Sequence, residues 1–324
     1  MQAWVIHEAG GPEQFQLEER QKPAPRDGWT LIWICAFGLN RSEWFTRIGD
    51  SPSVRFPRVL GIECVGEVVD AGGLDVEVGS TVAAIMGGMG REFDGSYAEY
   101  TLVPHGCVFP LRTGLPWERL AALPEMLQTT HGSLYAGLEI NRADSLLIRG
   151  GTSSIGMAAL ALAKDAGLKV ATTSRSDRKV GMLEAAGADE VWIDDGQLAE
   201  QLRSGQRAPF DRVLELIGTK TLLDSLRCVG PGGIVCMTGI LGGQWELAAF
   251  QPMGDIPTAV KLTAYSGGAE DLAPDQLQRY VELVEGGRLD VQTGPVFEFN
   301  ELIEAHQLMD RNEAGGKIVV RGVP

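Results

Sequence analysis

The residues with the clearest chemical signature form the run Ile148-Arg149-Gly150-Gly151-Thr152-Ser153-Ser154-Ile155-Gly156. Residues 145–148 predict a short buried strand before the turn, and residues 155–166 predict a helix after it. Glycines at such a turn let the backbone bend sharply, so that its amides and the positive end of the helix face a phosphate. The run therefore predicts a dinucleotide-binding turn, with the hydroxyls of Ser153 and Ser154 as additional donors.

Two better-known phosphate-binding patterns are not met by this turn. It departs from a literal GxGxxG, and Met157-Ala158 stand where a P-loop has Lys followed by Ser or Thr. An ordinary tight turn is the alternative interpretation. The surrounding alternation of strands and helices favours the dinucleotide site.

The residues at the end of the next predicted strand, 170–173, indicate whether the site prefers NADH or NADPH. Sites that prefer NADH carry an acidic residue here, because its carboxylate accepts hydrogen bonds from the adenosine ribose. In this chain Ser174 and Arg175 follow the strand, and the first acid is Asp177. Ser174 and Arg175 can donate to a 2′-phosphate, with Lys179 as a third contact. The sequence predicts NADPH; the alternative is a solvated loop.

The elements that must position this turn alternate along the middle of the chain. Strand-like runs cover residues 145–148, 170–173, 190–193, 213–217 and 233–238, and helical runs cover 155–166, 179–186 and 221–229. This alternation predicts βαβ units and a doubly wound parallel sheet.

The flanking regions differ from this middle part. Up to about residue 123, short apolar runs separated by Gly, Pro and Asp predict a mainly β domain. After about residue 265 the alternation stops, although a helix is predicted over 302–309 and a strand over 317–321. We expect an α/β chain with one domain over 1–123, completed by 266–324, and a second over 124–265.

Composition narrows the range of partners. The 324 residues are 44% hydrophobic, and 43 Asp and Glu outweigh 28 Lys and Arg to give a net charge of −15. Such an acidic surface repels nucleic acid and anionic lipid. No apolar run is long enough to span a bilayer, and the N-terminus lacks a secretory pattern. Five scattered cysteines without CxxC spacing are typical of a reducing compartment, so we expect a cytoplasmic protein.

Several short motifs, each weak alone, follow one another along the chain in a specific order. They are Gly38-Leu-Asn40-Arg-Ser-Glu43, Gly61-Ile62-Glu63, Gly95-Ser-Tyr97-Ala-Glu-Tyr100, Gly187-Ala-Asp189 and Gly315-Gly-Lys317. With the glycine turn, they make the chain resemble the medium-chain dehydrogenase/reductase superfamily, in its zinc-independent quinone oxidoreductase branch. The resemblance implies a GroES-like β domain, an inserted Rossmann domain, and a homodimer paired through Rossmann edge strands, here residues 259–265.

The resemblance also implies site residues. It places Asn40 and Thr129 near the nicotinamide and His131 on the substrate side as a candidate proton donor. Asn40 and Thr129 have packing or capping as their alternative role, and the alternative for His131 is an ordinary surface or core residue. Further cofactor contacts are expected at Ile217, Gly239 and Lys317.

The metal ligands of the zinc-dependent relatives are absent from the positions where the resemblance places them. Those positions hold Asn40, Ile62 and the neighbourhood of Glu125, and residues 86–93 contain none of the cysteines of a structural zinc lobe. Ile cannot bind a metal and Asn is a poor zinc ligand. We therefore expect no metal.

Without a Lewis acid, the reactions that remain are those in which the substrate itself accepts hydride readily. We expect a small-molecule hydride acceptor such as a quinone. A first alternative is an enone or enoyl-thioester reductase, for which Arg41, Arg47, Arg55 and Arg58 would bind a carrier phosphate. A second is a non-enzymatic NADPH-binding protein.

Overall fold

In the computed structural model residues 1–323 are described, and they divide into two units. The first unit comprises Met1–Gln128, Gly268–Arg288 and residues 292–323. The second comprises Thr129–Gly267 and Leu289–Val291. The chain therefore leaves the first unit, builds the second, and returns.

The strands follow one another along the chain in this order: β1 (Gln2–Ile6), β2 (Phe15–Glu19), β3 (Trp29–Gly38), β4 (Arg58–Val59), β5 (Glu63–Asp70), β6 (Thr81–Ile85), β7 (Tyr100–Pro104), β8 (Val108–Pro110), β9 (Ser145–Arg149), β10 (Lys169–Ser174), β11 (Glu190–Ile193), β12 (Phe210–Glu215), β13 (Val229–Met237), β14 (Lys261–Ala264), β15 (Thr293–Phe297) and β16 (Lys317–Arg321).

The α-helices are α1 (Arg41–Ile48), α2 (Trp117–Ala121), α3 (Pro124–Gly132), α4 (Ser154–Asp165), α5 (Val180–Ala185), α6 (Leu198–Ser204), α7 (Thr219–Ser225), α8 (Pro252–Asp255), α9 (Pro274–Glu285) and α10 (Leu302–Arg311). A π-helical turn at Ser133–Gly137 continues α3. Short 3₁₀ turns lie at Pro12–Gln14, His105–Cys107, Ile140–Arg142, Asp177–Lys179, Ala269–Asp271 and Phe299–Glu301. Within residues 1–323, none of the helices combines the length and the apolar character that crossing a membrane requires.

Two sheets form the first unit. One has the order β2-β1-β4, and the other has the order β15-β16-β3-β5-β6-β8, with β7 also paired to β3. The ten-residue β3 is the centre of the larger sheet and pairs antiparallel with β5, β7 and β16. Four of its apolar residues, Leu31, Ile32, Ile34 and Phe37, are at most 2% exposed, whereas Trp29, Trp33 and Cys35 are half-buried.

A six-stranded sheet forms the second unit, with the order β11-β10-β9-β12-β13-β14 and every pair parallel. Numbered within this unit the order is 3-2-1-4-5-6, the doubly wound Rossmann arrangement. Its switch point lies between β9 and β12, where ligands bind at the carboxyl ends of the strands. The centre of β9, Leu146-Leu147-Ile148, is a continuous apolar run, as is typical of a parallel strand covered on both faces.

The fold class predicted from the sequence, a GroES-like β domain with a Rossmann domain, is confirmed. Individual element bounds differ by a few residues. The strand predicted over 213–217 is β12, which starts at Phe210 and ends at Glu215. Lys179, predicted to open a helix, closes the Asp177–Lys179 turn, and α5 starts at Val180.

Candidate cofactor site and buried charge cluster

The glycine turn lies where the sequence predicts it, between β9 and α4 at the switch point of the Rossmann sheet. Gly150 has a φ of +97°, which L side chains rarely adopt. A Cβ on Gly151 would lie 1.6 Å from Thr172 Oγ1, and one on Gly156 would lie 2.6 Å from the carbonyl oxygen of Gly150. The turn can therefore adopt this conformation only because these positions carry no side chain.

Ser153 caps α4 and shapes the turn from within. Its hydroxyl donates to the carbonyl of Gly150 at 2.9 Å and accepts the amide of Gly156 at 3.1 Å. The one hydroxyl proton of Ser153 is thus donated inside the turn. Within residues 1–323, the amides of Thr152, Ser154 and Ile155 have no hydrogen-bond acceptor. These amides at the positive end of a twelve-residue helix fit an anionic pyrophosphate.

The end of β10 is basic. Ser174 is buried, and its hydroxyl donates to the carbonyl of Ser176 at 2.8 Å, which closes a local turn. Arg175 and Arg178 are exposed, and Lys179 is half-buried. None of the ion pairs in the described part of the chain involves these three cations. They supply local positive charge on an acidic protein.

Below the turn, Arg149 ties the strand ends together. Its guanidinium is fully buried and donates to both oxygens of Asp194, at 2.7 and 2.8 Å, and to Asp224 at 2.7 Å. Burial alone would lower the pKa of Arg149, but the hydrogen bonds and charge of Asp194 outweigh it and raise the pKa. This buried, bidentate pair fixes β9 where the turn begins. Sequence reasoning did not assign a role to Arg149.

The opposite side of the switch point is held by Glu215, the last residue of β12. One carboxylate oxygen accepts the amides of Ile217 and Gly218, at 2.7 and 3.0 Å. The neighbouring Gly239 has no room for a side chain, since a Cβ would lie 2.4 Å from the carbonyl oxygen of Leu216. Ile217 and Gly239, both predicted cofactor contacts, thus lie in two hydrogen-bonded loops at the carboxyl edge of the sheet, after β12 and after β13.

Thr129 and His131 lie on α3, beside the π-helical turn. Both are half-buried, and the carbonyl of Thr129 accepts the hydroxyl of Ser133 at 2.6 Å. The His131 ring lies on the Tyr135 ring with centroids 4.6 Å apart. Burial lowers the pKa of His131, so the ring is mainly neutral at pH 7.

In the first unit, the predicted site residues Asn40 and Lys317 form a buried charge cluster with three glutamates that were not predicted. We use this name for Asn40, Glu43, Glu63, Glu125 and Lys317. The Nζ atom of Lys317 lies 2.6 Å from Glu63 Oε1 and 3.0 Å from Glu125 Oε2, and it donates to Asn40 Oδ1. Glu63 is fully buried and Lys317 is 2% exposed.

Sheet pairing brings these residues together. Asn40 follows the end of β3, Glu63 opens β5 and Lys317 opens β16, and β3 pairs antiparallel with both of those strands. The two strand starts therefore meet at the end of β3. Gly38 makes the space, because a Cβ there would lie 2.4 Å from Glu63 Oε1 and 2.6 Å from the Cε atom of Lys317.

Inside this cluster the Asn40 side chain is fully engaged. Its amide nitrogen donates to Glu63 at 3.0 Å and to Glu43 at 3.3 Å, and its oxygen accepts from Lys317. Asn40 also begins α1 in a capping box, with its own backbone amide donating to Glu43 at 3.0 Å. Its two side-chain protons are therefore committed to carboxylates.

The pKa values of Glu43 and Lys317 are both raised, which favours the neutral form of Glu43 and the charged form of Lys317. Burial raises the pKa of Glu43 to about 7, despite the amide of Ile62 that it accepts at 2.9 Å. For Lys317 burial acts to lower the pKa, but the charges of Glu125 and Glu63 outweigh it and the pKa is raised. Lys317 is a permanent cation and Glu43 a carboxyl that titrates near neutrality.

The four arginines predicted to bind a carrier phosphate do not form an open basic patch. Arg47 is 1% exposed and bonded to Asp310, and Arg58 pairs with Asp94 at 3.0 Å. Arg55 is exposed, whereas Arg41 is half-buried and donates to the side chain of Asn312. The prediction of a four-arginine phosphate site is wrong for Arg47, because the side chain is buried.

The residues at the expected metal positions do not fit a metal ion. A divalent cation bound by Asn40 and Glu125 would have to displace the Lys317 ammonium, and Ile62 has no ligating atom. Within residues 1–323 no three His, Cys, Asp or Glu side chains form a metal-binding group.

Two family models match the chain. "Alcohol dehydrogenase GroES-like domain" matches residues 26–113, and "Zinc-binding dehydrogenase" matches residues 186–320. A quinone oxidoreductase of Pseudomonas aeruginosa is 27% identical over 330 residues, covering 96% of this chain and 97% of that protein. A 2-methylene-furan-3-one reductase of Solanum lycopersicum is 27% identical over 350 residues, covering 100% of this chain and 80% of that protein.

A solved structure of a quinone oxidoreductase has the same fold as this chain. The quinone oxidoreductase of Escherichia coli complexed with NADPH superimposes with a TM-score of 0.87 at 20% identity, covering 99% of this chain and 100% of that one. Fold, turn and matches together define an oxidoreductase with an NAD(P)-binding domain: the chain belongs to the medium-chain dehydrogenase/reductase superfamily. Within that superfamily its similarity is to the quinone oxidoreductase-like branch, since relatives named quinone oxidoreductase match at 25% and 27% identity over 99% and 96% of this chain.

Proposed function

We propose that this protein is an NADPH-dependent reductase that delivers hydride to a quinone or a similar activated carbonyl acceptor without a metal. The observation that carries the cofactor choice is the end of β10. Exposed Arg175 follows buried Ser174 where an NADH-specific site would place a carboxylate. Arg178 and Lys179 add positive charge within four residues, which favours a 2′-phosphate.

The cofactor contacts we propose in the Rossmann unit are the turn from Gly150 to Gly156, Ser174, Arg175, Lys179, Ile217 and Gly239. NADPH supplies the hydride when bound. The open amides of Thr152, Ser154 and Ile155 bind its pyrophosphate, and the loop fixed by Glu215 supplies backbone close to the switch point. Thr129 remains a proposed contact. Because burial lowers its pKa, the His131 ring is mainly neutral at pH 7. It would have to bind a proton before it could donate one to the substrate.

Asn40 and Lys317, which the sequence predicts as cofactor contacts, are engaged with the carboxylates of the buried charge cluster. Because both protons of the Asn40 amide are donated to carboxylates, its side chain has no proton left for an acceptor carbonyl. We propose that the buried charge cluster holds the segment between β3 and α1 in a fixed conformation. We also propose a homodimer through β14, which lies at the edge of the Rossmann sheet.

A second candidate is the reduction of carbon–carbon double bonds in enones. It is favoured by the match to a relative named 2-methylene-furan-3-one reductase, because a 2-methylene-furan-3-one is itself an enone. Both reactions use the same hydride and differ only in the acceptor.

The deciding experiment follows NADPH and NADH oxidation by the purified protein with a panel of quinones, enones and acyl thioesters. Quinone turnover that prefers NADPH, and that persists after dialysis against a strong chelator, is expected. Elemental analysis should find no stoichiometric zinc. Turnover confined to enones would replace the first candidate by the second, and activity lost with a removed zinc would contradict metal independence.

A further inference from the structure

The buried charge cluster has the geometry of a cation site. Three oxygens, Glu63 Oε1, Glu125 Oε2 and Asn40 Oδ1, converge on the Lys317 Nζ atom from three different chain segments. An ammonium has three protons and no acceptor, so the three oxygens use its full donor capacity.

The charges of these groups matter as well as their hydrogen bonds. Glu63 is fully buried and Glu125 is 9% exposed, and carboxyl groups this deep are stabilised by a cation within bonding distance of both. An all-oxygen set of carboxylates and one amide carbonyl is the kind of donor set that Mg²⁺ and Mn²⁺ prefer. The pocket therefore needs a positive charge, and its ligands are suited to a divalent ion.

The backbone keeps the ammonium in place. Lys317 is the first residue of β16, where it pairs with Thr293 of β15, two residues before β16 joins β3 at Val319. The side chain passes over Gly38, whose missing Cβ leaves room for the Lys317 Cε atom. An incoming metal ion would have to displace a tethered cation that is already fully bonded.

We propose that the Lys317 ammonium is a built-in cation that takes the place of a bound divalent metal between Asn40, Glu63 and Glu125. By holding Asn40 Oδ1 it also sets the orientation of the amide, whose nitrogen then faces Glu63 and Glu43. Lys317 is in this sense a positioning residue. The inference rests on the metal independence in the proposed function and identifies its cause.

The test is to remove the cation and ask whether a metal replaces it. Lys317→Ala deletes the ammonium and keeps all three oxygens. Full-length protein is titrated with MnCl₂ and free Mn²⁺ is measured by electron paramagnetic resonance. We expect Lys317→Ala to bind about one Mn²⁺ per chain, at least tenfold more tightly than wild type, and to be stabilised by it against heat.

Three controls fix the site. Lys317→Arg retains the positive charge and should bind no Mn²⁺. Lys164→Ala removes a lysine from an exposed pair with Asp189 and should behave like wild type. Adding Glu125→Gln to Lys317→Ala should reduce Mn²⁺ affinity at least tenfold.

Several results would overturn the inference. They are one tightly bound Mn²⁺ in the wild type, no Mn²⁺ uptake by folded Lys317→Ala, or uptake that Glu125→Gln leaves unchanged. If Lys317→Ala is insoluble, the same titration uses Lys317→Ala with Glu43→Gln, which lowers the buried negative charge and keeps the three oxygens. Failure of both variants to fold even in MnCl₂ would also contradict the inference.

NADPH affinity measured on the same samples reports separately on the proposed function. A wild type that neither binds NADPH nor oxidises it would refute that function while leaving the Mn²⁺ result intact. Conversely, wild-type NADPH turnover with no gain of Mn²⁺ binding in Lys317→Ala would refute only the inference about Lys317.

Discussion

The two units deal with charge in opposite ways. The turn between β9 and α4 is an anion site built from backbone, and its amides at Thr152, Ser154 and Ile155 have no partner within the described chain. The buried charge cluster is built from side chains, and its central cation has a partner for every proton. The first is prepared for a ligand that arrives, whereas the second already contains its ion.

This difference means that the turn serves to bind a ligand, whereas the cluster serves to stabilise the fold. An open set of amides gains free energy only when an anion binds, so changes there should affect cofactor affinity and leave folding nearly intact. A closed ion cluster contributes on folding, because one missing partner leaves a buried charge uncompensated. Substitutions in the two regions should therefore have different primary readouts.

The largest expected effect is on the open site. Gly156→Val should weaken NADPH binding more than 100-fold, since a Cβ would lie 2.6–2.8 Å from backbone atoms of Gly150 and Gly151 and displace the turn. Gly181→Val is the matched control, because a Cβ at Gly181 meets nothing within 4 Å. Calorimetric titration measures both. Equal NADPH affinity in Gly156→Val and wild type would mean that the pyrophosphate binds elsewhere.

The closed site should respond in stability. Lys317→Met leaves Glu63 and Glu125 without their cation and should lower the free energy of unfolding by about 3–5 kcal/mol. Lys164→Met, which breaks the exposed pair with Asp189, should cost about 1 kcal/mol or less. Urea unfolding gives both values. The contrast between the units breaks down if the two substitutions cost the same.

A pH profile sharpens the description of the cluster. The pKa of Glu43 is raised from 4.5 to about 7 on folding, so the folded chain holds the extra proton between these values. Its contribution to stability is therefore complete below about pH 4.5 and is lost as the pH rises to about 7.

Glu43→Gln removes this ionisation. From pH 5 to pH 8 the wild type should lose on the order of 2–3 kcal/mol relative to Glu43→Gln, about 1.4 kcal/mol for each unit of pKa shift. Urea unfolding of both proteins at the two pH values gives the difference. Parallel stability profiles would show that Glu43 titrates at its ordinary value.

The open site was predictable from the sequence and the closed cluster was not, for a physical reason. A strand, glycine turn and helix are contiguous, so residues 145–166 contain the whole signal. The cluster joins positions 40, 43, 63, 125 and 317, which only the pairing of β3 with β5 and β16 brings together. Sequence motifs pointed to Asn40 and Lys317 separately but gave no indication that they are bonded.

Some element bounds depend on side chains that no local pattern reveals. The apolar run suggested a strand to Ile217, but the Glu215 carboxylate captures the amides of Ile217 and Gly218 and ends β12. Helix α9 was not predicted, although Leu277, Val281 and Val284 repeat at helical spacing on its buried side. This spacing indicates a helix, but the mixed composition of the residues after 265 obscured it.

The smallest effect, at Arg175, tests the specificity of the open site. The guanidinium is exposed, so Arg175→Ala should weaken NADPH binding by about 1.5 kcal/mol, the lower end for a hydrogen bond to a charged group. That is about tenfold in affinity, whereas NADH binding should hardly change because NADH lacks the 2′-phosphate. The preference for NADPH should also fall with added salt, since an exposed ion pair is screened.

Arg178→Ala is the matched control for Arg175, because both side chains are exposed arginines in the same short segment. Titrations of the wild type and both variants with each cofactor separate a specific contact from general attraction. If the two substitutions weaken NADPH equally and by a small amount, the segment acts through its summed charge. If Arg175→Ala weakens NADH as much as NADPH, the side chain contacts a part of the cofactor that both share, and the 2′-phosphate assignment is wrong.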